Sequence, residues 1–250
     1  MTTDTRSLAG KIAVVTGGSR SIGAAIAKRL AADGATVAIT YNASASSAEA
    51  VVAAITAAGG QAVALRADAG DANAVRAAIE DVAERFGRID ILVNNAGISV
   101  LGAPQDIAFD DFQRILAVNV TGVFVATQQA LKHMGEGGRI IHIGSSMVQY
   151  AAFATASVYT LTKGAVAGFS RGLVRDLGPR GITVNTVHPG PTDSDMNPAD
   201  GAVADFVRPN IAVGRYGEGK DIASAVAYLA SAEAGFVSGA ELLVDGGFTA

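Results

Sequence analysis

A chain of 250 residues, half of them apolar and 17% charged, has enough hydrophobic material for one well-buried domain and too little charge for a disordered chain. Its formal net charge of -4 argues against the basic surface that nucleic-acid binding requires, and no run of about 18 uncharged apolar residues is present to span a bilayer. Cysteine is absent, so disulfides, thiol nucleophiles and thiolate metal sites are excluded.

Short β-branched runs alternate with longer alanine-rich segments of helical period. In chain order, KIAVV precedes a helix over 21–33, TVAIT one over 44–58, QAVALR one over 71–86, and IDILV one over about 107–133. RIIHI precedes a helix over 155–177, and ITVNTV (182–187) and ELLV (241–244) flank one near 219–231. Strands apolar on both faces, alternating with helices, predict a doubly wound α/β sandwich around a parallel sheet. No repeat or linker divides it, so residues 1–250 read as a single domain. The start MTTDTRSLAG lacks a basic-then-apolar leader and fits a cytoplasmic location. His133, His142 and His188 have no ligand spacing, so no metal is expected. A long irregular stretch, about 188–215, contains Pro189, Pro191, Pro198 and Pro209 and reads as a lid over a site.

Ligands in such sheets sit at the carboxyl ends of the strands. After the first strand comes TGGSRSIG, Thr16 to Gly23. Gly17, Gly18 and Gly23 permit a tight turn that brings backbone close to a pyrophosphate, which rests on the amides of the next helix. Ser19, Arg20, Ser21 and Ile22 complete the turn. Ser21 stands where a further glycine is expected, and its Cβ would be strained if that position needs positive φ. The second strand is followed by Tyr41, Asn42, Ala43 and Ser44 without a carboxylate. An acid there would bind the 2′-hydroxyl of NAD, whereas a cation accommodates the 2′-phosphate of NADP; Arg20 therefore favours NADP(H), unless it is an ordinary surface cation.

With these residues stand Asp68 after the third strand, NNAG at 94–97, Asn119 in VNVTG, a serine after the fifth strand, YTLTK at 159–163 and PGPTDS at 189–194. Together, in this order and along essentially the whole chain, they resemble the short-chain dehydrogenase/reductase family. The resemblance implies a Rossmann-type sheet of seven parallel strands and commonly a homotetramer. It implies that Asp68 and Ala69 hold adenine, that Asn94 to Gly97, with Asn94, Ala96 and Gly97 as candidates, line the ribose region, and that Pro189, Gly190 and Thr192 meet the nicotinamide side. Asp68 could instead be a residue at a helix N-terminus.

Tyr159 and Lys163 lie four apart in a helical segment, hence on one face. Tyrosine titrates near pH 10, so acid–base work at neutrality calls for a nearby ammonium, and Lys163 is expected to lower the Tyr159 pKa. The resemblance further implies that Lys163 binds ribose, that Asn119 holds a water in a proton relay, and that a serine hydroxyl polarises a carbonyl. Ser145 precedes Tyr159 by fourteen residues and Ser146 by thirteen. The commoner spacing selects Ser146, whereas the IGS strand end favours Ser145.

Ser99 to Leu101, Met147 to Ala156 and the 190–214 segment are expected to wall the substrate pocket, with Gln149, Tyr150 and Phe153 near its mouth. No arginine fork for a carboxylate is evident, so the substrate reads as a small-molecule neutral ketone or its alcohol. Relatives of this kind also include 3-oxoacyl-carrier-protein reductases, for whose acidic partner Lys132, Arg171 and Arg175 are the available cations. Two other readings are a dinucleotide-sensing regulator on the same fold and an interaction scaffold.

Overall fold

In the computed structural model, which describes residues 7–201 and 204–250, seven strands form one parallel sheet. The strands are β1 (Ile12–Val15), β2 (Thr36–Tyr41), β3 (Gln61–Arg66), β4 (Ile91–Asn94), β5 (Arg139–Ile143), β6 (Thr183–Pro189) and β7 (Glu241–Val244). Helices α1 (Ser21–Ala32), α2 (Ala45–Ala57) and α3 (Ala72–Phe86) follow the first three strands. Further on come α4 (Phe109–Leu116), α5 (Gly122–Ala130), α6 (Ser157–Leu177), α7 (Ala204–Val207) and α8 (Gly219–Ala230). The first six residues of the start MTTDTRSLAG, and Ala202 and Val203 of the expected lid, lie outside the described residues.

The sheet order is β3-β2-β1-β4-β5-β6-β7. Chain direction across the sheet reverses between β1 and β4, and their carboxyl ends make the switch point where such folds bind ligands. Successive side chains of a strand face opposite ways. Ala13 and Val15 accordingly join Ile91, Val93, Ile141 and Ile143 beneath α1 and α8. Val14, Leu92 and Ile140 join Ile79, Leu173 and Leu177 of α3 and α6 on the other face. Each fully buried aliphatic side chain of this kind contributes about 2 kcal/mol.

Most predicted elements appear with ends shifted by one or two residues, but the helix expected over 107–133 is interrupted. Between α4 and α5 runs a π-helical turn, Ala117–Thr121. The following residue, Gly122, packs so tightly on the loop after β3 that a Cβ would fall 2.2 Å from the Ala69 carbonyl oxygen. Wide turns of this kind commonly redirect functional side chains, and this one carries Asn119. The predicted lid is also more ordered than expected. Strand β6 runs on through Pro189, Thr192 bridges Gly217, and Ala204, Val207, Ile211 and Tyr216 form a small core packed on Ala199 and Phe248.

Candidate active site

The glycine turn is fixed from two sides. Thr16 Oγ1 accepts the amides of Asn95 and Ala96 at 3.0 and 3.1 Å, and Asn95 Nδ2 donates to the Thr16 and Gly17 carbonyls at 2.9 and 3.0 Å. Gly17 has φ +65, and a Cβ there would fall 2.9 Å from Ala96 Cα. A Cβ at Gly23 would fall 2.3 Å from the Gly17 carbonyl oxygen. Helix α1 begins immediately afterwards without a side-chain cap. Its first internal bond runs from the Ala24 amide to the Arg20 carbonyl, which leaves the amides of Ser21, Ile22 and Gly23 without intrahelical acceptors. An uncapped helix start at the switch point suits a pyrophosphate.

Ser21 does adopt positive φ, +49, a strained region for a residue with a side chain. Its hydroxyl accepts the Asp195 amide at 3.2 Å, and the neighbouring Arg20 guanidinium lies 3.1 Å from the Asp195 carboxylate. Both groups of that ion pair are exposed, so it is weak and exchangeable. Ser19 is buried, while Tyr41 and Ser44 are half-buried and Asn42 exposed.

Asp68 is no helix cap: Asp71 caps α3 by accepting the Asn73 and Ala74 amides. Both Asp68 carboxylate oxygens instead lie 3.0 Å from Arg114 Nη2, and one accepts the Gly70 amide at 2.8 Å. Burial raises the Asp68 carboxyl, but the Gly70 amide, Arg114 and the Asn42 side chain together hold it below the ordinary carboxylate range. Half-buried Ala69 and Gly97 line the same side. A Cβ on Gly97 would sit 3.4 Å from Lys163 Nζ.

Asn94 departs from expectation. The strand alternation turns its side chain into the face beneath α5, where Nδ2 donates to Thr127 Oγ1 at 3.0 Å and meets His142 Nδ1 at 3.1 Å. Its side chain is thus committed to the core, although Asn94 still lines a small cavity with Thr16, Ala69 and Ala96, and Asn95, one residue on, is the side chain that serves the glycine turn.

On the other side of the switch point, β5 ends at Ile143 and its continuation delivers Ser145 to the first turn of α6. The Ser145 hydroxyl stands near enough to Tyr159 to oppose part of the rise in its pKa and accepts the Met147 amide at 3.2 Å. Ser146 is buried beside it and begins the short 3₁₀ turn Ser146–Val148. Lys163, one turn after Tyr159 on the same face, is buried and donates to the Ile143 carbonyl at 2.8 Å. Its Nζ lies 5.8 Å from the Tyr159 ring centre. Burial lowers the Lys163 pKa to about 8.

The Tyr159 pKa moves opposite to expectation. Burial pushes the phenol above its ordinary value, and the nearby Ser145 hydroxyl only partly opposes this. The Lys163 ammonium is directed at the strand carbonyl rather than at the phenolic oxygen, so it does not reverse the effect. The Asn119 side chain is held by three hydrogen bonds. Its amide pairs with both backbone groups of Ile98 at 2.9 Å and donates to Thr162 Oγ1 at 3.1 Å, while Thr162 Oγ1 donates to the Tyr159 carbonyl at 2.8 Å. Asn119 thus ties the loop after β4 to the Tyr159 helix.

The segments expected to wall the substrate pocket expose apolar side chains. Leu101, Tyr150, Phe153, Met196 and Phe206 are all exposed large hydrophobics. Thr155 has φ +74, strained for a β-branched residue, and its carbonyl accepts the Gly102 amide at 2.9 Å. Pro189 closes β6, Gly190 donates to the Val244 carbonyl at 3.0 Å, and buried Thr192 donates to the Gly190 carbonyl at 3.0 Å.

A short-chain dehydrogenase from Burkholderia cenocepacia J2315, solved in complex with NADP, superposes with a TM-score of 0.96 at 55% identity, covering 98% of this chain and 100% of that one. The sequence model of a family described as Enoyl-(Acyl carrier protein) reductase matches residues 17–249. The chain belongs to the short-chain dehydrogenase/reductase family. This short-chain dehydrogenase/reductase is also 42% identical over 241 residues to the cyclic-di-GMP-binding biofilm dispersal mediator protein of Escherichia coli K12, across 96% of this chain and 98% of that protein. It is 36% identical over 256 residues to a probable tetrahydroxynaphthalene reductase of Zymoseptoria tritici, across 97% and 96% of the two chains.

Proposed function

We propose that this oxidoreductase is an NADPH-dependent carbonyl reductase that converts a neutral ketone to a secondary alcohol, reversibly. The observation that carries the reading is the convergence of Ser145, Tyr159 and the Lys163 ammonium, whose Nζ lies 5.8 Å from the Tyr159 ring centre, at the switch point beside an uncapped helix start. NADP(H) would be held by the α1 amides and the Gly17–Gly23 turn at its pyrophosphate, by Arg20 at its 2′-phosphate, by Asp68 and Ala69 near adenine, and by Gly97, Lys163 and Thr192 toward the nicotinamide. When bound it supplies the hydride for the carbonyl carbon.

The chain's own residues handle the oxygen. Ser145 donates a hydrogen bond to the carbonyl oxygen and stabilises the charge that grows there. Tyr159, kept neutral by burial, hands its proton to that oxygen. Lys163 stabilises the phenolate left behind and restores the proton from the solvent side. Asn119 keeps Ile98 and the Tyr159 helix in register. The exposed apolar mouth favours a hydrophobic, ring-bearing ketone over an acyl-carrier partner. Of the three cations considered for such a partner, Lys132 donates to Gln129 at 2.8 Å and Arg171 is paired with Glu241.

Arg20→Ala is expected to raise the KM for NADPH about 10–100-fold while leaving NADH kinetics within about twofold, because a single charge-assisted contact to the 2′-phosphate is worth about 1.5–3 kcal/mol. Steady-state kinetics with both coenzymes check this; equal losses with NADH would reject Arg20 as the 2′-phosphate reader. We also assign a homotetramer built through the α5–α6 face, where Phe124 is exposed and stacks on Phe169. Phe124→Glu should shift the mass measured by light scattering from tetramer toward smaller species, and an unchanged mass would reject that face.

The Escherichia coli relative's name supports a second reading, a dinucleotide-binding regulator. Titration with cyclic di-GMP in a binding calorimeter, set beside ketone turnover, separates the two: tight binding without turnover of any ketone favours the regulator.

A further inference from the structure

A second cation stands at the strand end where the 2′-phosphate is expected. Strand β2 ends at Tyr41 and is followed by Asn42, Ala43 and Ser44 without a carboxylate. The neighbouring edge strand β3 ends in register with it, Arg66 opposite Tyr41, and the Ala67 amide donates to the Tyr41 carbonyl at 2.8 Å. Arg66 is exposed and reaches across to the loop after β2, where its Nε donates to the Asn42 carbonyl at 3.3 Å. A guanidinium carries five N–H donors in a planar fork, so one bond through Nε leaves both terminal nitrogens to bind an anion. Among the described residues no carboxylate pairs with them; the acid two residues on, Asp68, is taken by Arg114.

Arg20, by contrast, is engaged elsewhere. Its Nη1 lies 3.1 Å from the Asp195 carboxylate, in the segment after β6, and that pair competes with a phosphate for the same charge. An exposed pair is worth a factor of about five at most, so it weakens Arg20 as an anion reader without excluding it. Helix α2 favours an anion at the same strand end. Ser44 precedes it without a side-chain cap, and its first turn holds no acid. The positive end of that helix therefore adds to the Arg66 charge.

We propose that Arg66 is a coenzyme-specificity residue: its terminal guanidinium nitrogens bind the 2′-phosphate of NADP(H) at the end of β2 and share the reading of that group with Arg20. The inference rests on the reading that the 2′-phosphate lies at this strand end, and it extends the part given there to Arg20 alone. A charge-assisted contact to phosphate is worth about 10–100-fold in affinity. Solvent and salt screen an exposed guanidinium, so about 5–20-fold is expected for Arg66. NAD(H) carries a hydroxyl in place of the phosphate and gains little from the charge.

Binding calorimetry on the full-length protein, with NADP⁺ or NAD⁺ and no substrate present, tests this without turnover. Arg66→Gln should weaken NADP⁺ binding about 5–20-fold and leave NAD⁺ binding within about twofold. Repeated at increasing sodium chloride, the titration should show NADP⁺ affinity falling less steeply in Arg66→Gln than in the wild type, because one screened charge contact is gone. Unchanged NADP⁺ affinity in Arg66→Gln, or an unchanged salt dependence, overturns the proposal. Equal weakening of both coenzymes also overturns it, since Arg66 would then only support the Asn42 loop. Arg20→Ala in the same titrations separates this inference from the reading it extends. A loss of NADP⁺ affinity in Arg66→Gln but not in Arg20→Ala rejects Arg20 as a reader and keeps Arg66, whereas a loss in Arg20→Ala alone rejects Arg66. Wild-type protein that binds NAD⁺ as tightly as NADP⁺ would overturn both.

Discussion

Tyr159→Phe is expected to lower kcat for ketone reduction by about 10³–10⁴-fold, the upper range for removing a positioned general acid, while NADPH binding stays within about threefold of wild type. The substitution deletes one oxygen from a ring that remains packed on the same helix face, so the fold and the coenzyme cradle are untouched. What disappears is the hydroxyl that is proposed to supply the proton. Direction matters for the pH profile. Reduction needs the neutral phenol, and burial raises the Tyr159 pKa above its ordinary value, so the reduction rate should be level through neutrality. Alcohol oxidation needs the phenolate and should rise with pH. Burial lowers the Lys163 pKa to about 8, so its ammonium is mostly present at pH 7 and is lost as pH rises through that value. A Tyr159→Phe variant with near-normal kcat would remove the acid from the account.

Ser145→Ala should lower kcat about 10²–10³-fold, the range for loss of one hydrogen-bond donor to a developing oxyanion, whereas Ser146→Ala should change it by about threefold or less. The difference follows from where β5 sends its continuation. Ile143 faces the core beneath α1 and α8, the next residue is the glycine beneath His188, and Ser145 emerges against Tyr159. Ser146 is buried beside it and starts a 3₁₀ turn. Single-turnover rates with a saturating ketone measure both variants. A larger loss in Ser146→Ala would reverse the assignment and, with it, the register of the site.

The sheet and most of the helices were legible because alternating β-branched runs and helical periods survive in the local sequence. The placement of Tyr159 and Lys163 on one face of one helix was legible through their spacing. What escaped was set by tertiary environment. Asn94 was expected beside the cofactor, and what the sequence did not show is that its side chain turns toward Thr127 and His142; the strand alternation that buries Val14 and Leu92 on one face was the available signal, and it also nominates Asn95. The pKa of Tyr159 could not be read from the proximity of a lysine, because burial and the direction of the ammonium decide it. Partners far apart in the chain were invisible: Arg114 for Asp68, and Asp195 for Arg20 and Ser21. The π-helical turn at Asn119 depends on the approach of Gly122 to the loop after β3, which no local pattern encodes.

Ser21 illustrates both kinds of information. The sequence marked it as an anomaly in a glycine turn and named positive φ as the condition for strain. The structure supplies the positive φ together with a use for the hydroxyl, which holds the Asp195 amide of the lid. Arg20 and Ser21 therefore join the glycine turn to the segment after β6 through one residue, Asp195.

The most direct test of the central claim is NADPH consumption at ~340 nm, the absorbance of the reduced nicotinamide that supplies the hydride, across a panel of hydrophobic ring-bearing ketones. The wild type should oxidise NADPH in step with alcohol formation, and Tyr159→Phe should bind NADPH without doing so. Tight NADPH binding by the wild type with no turnover of any ketone would contradict the account.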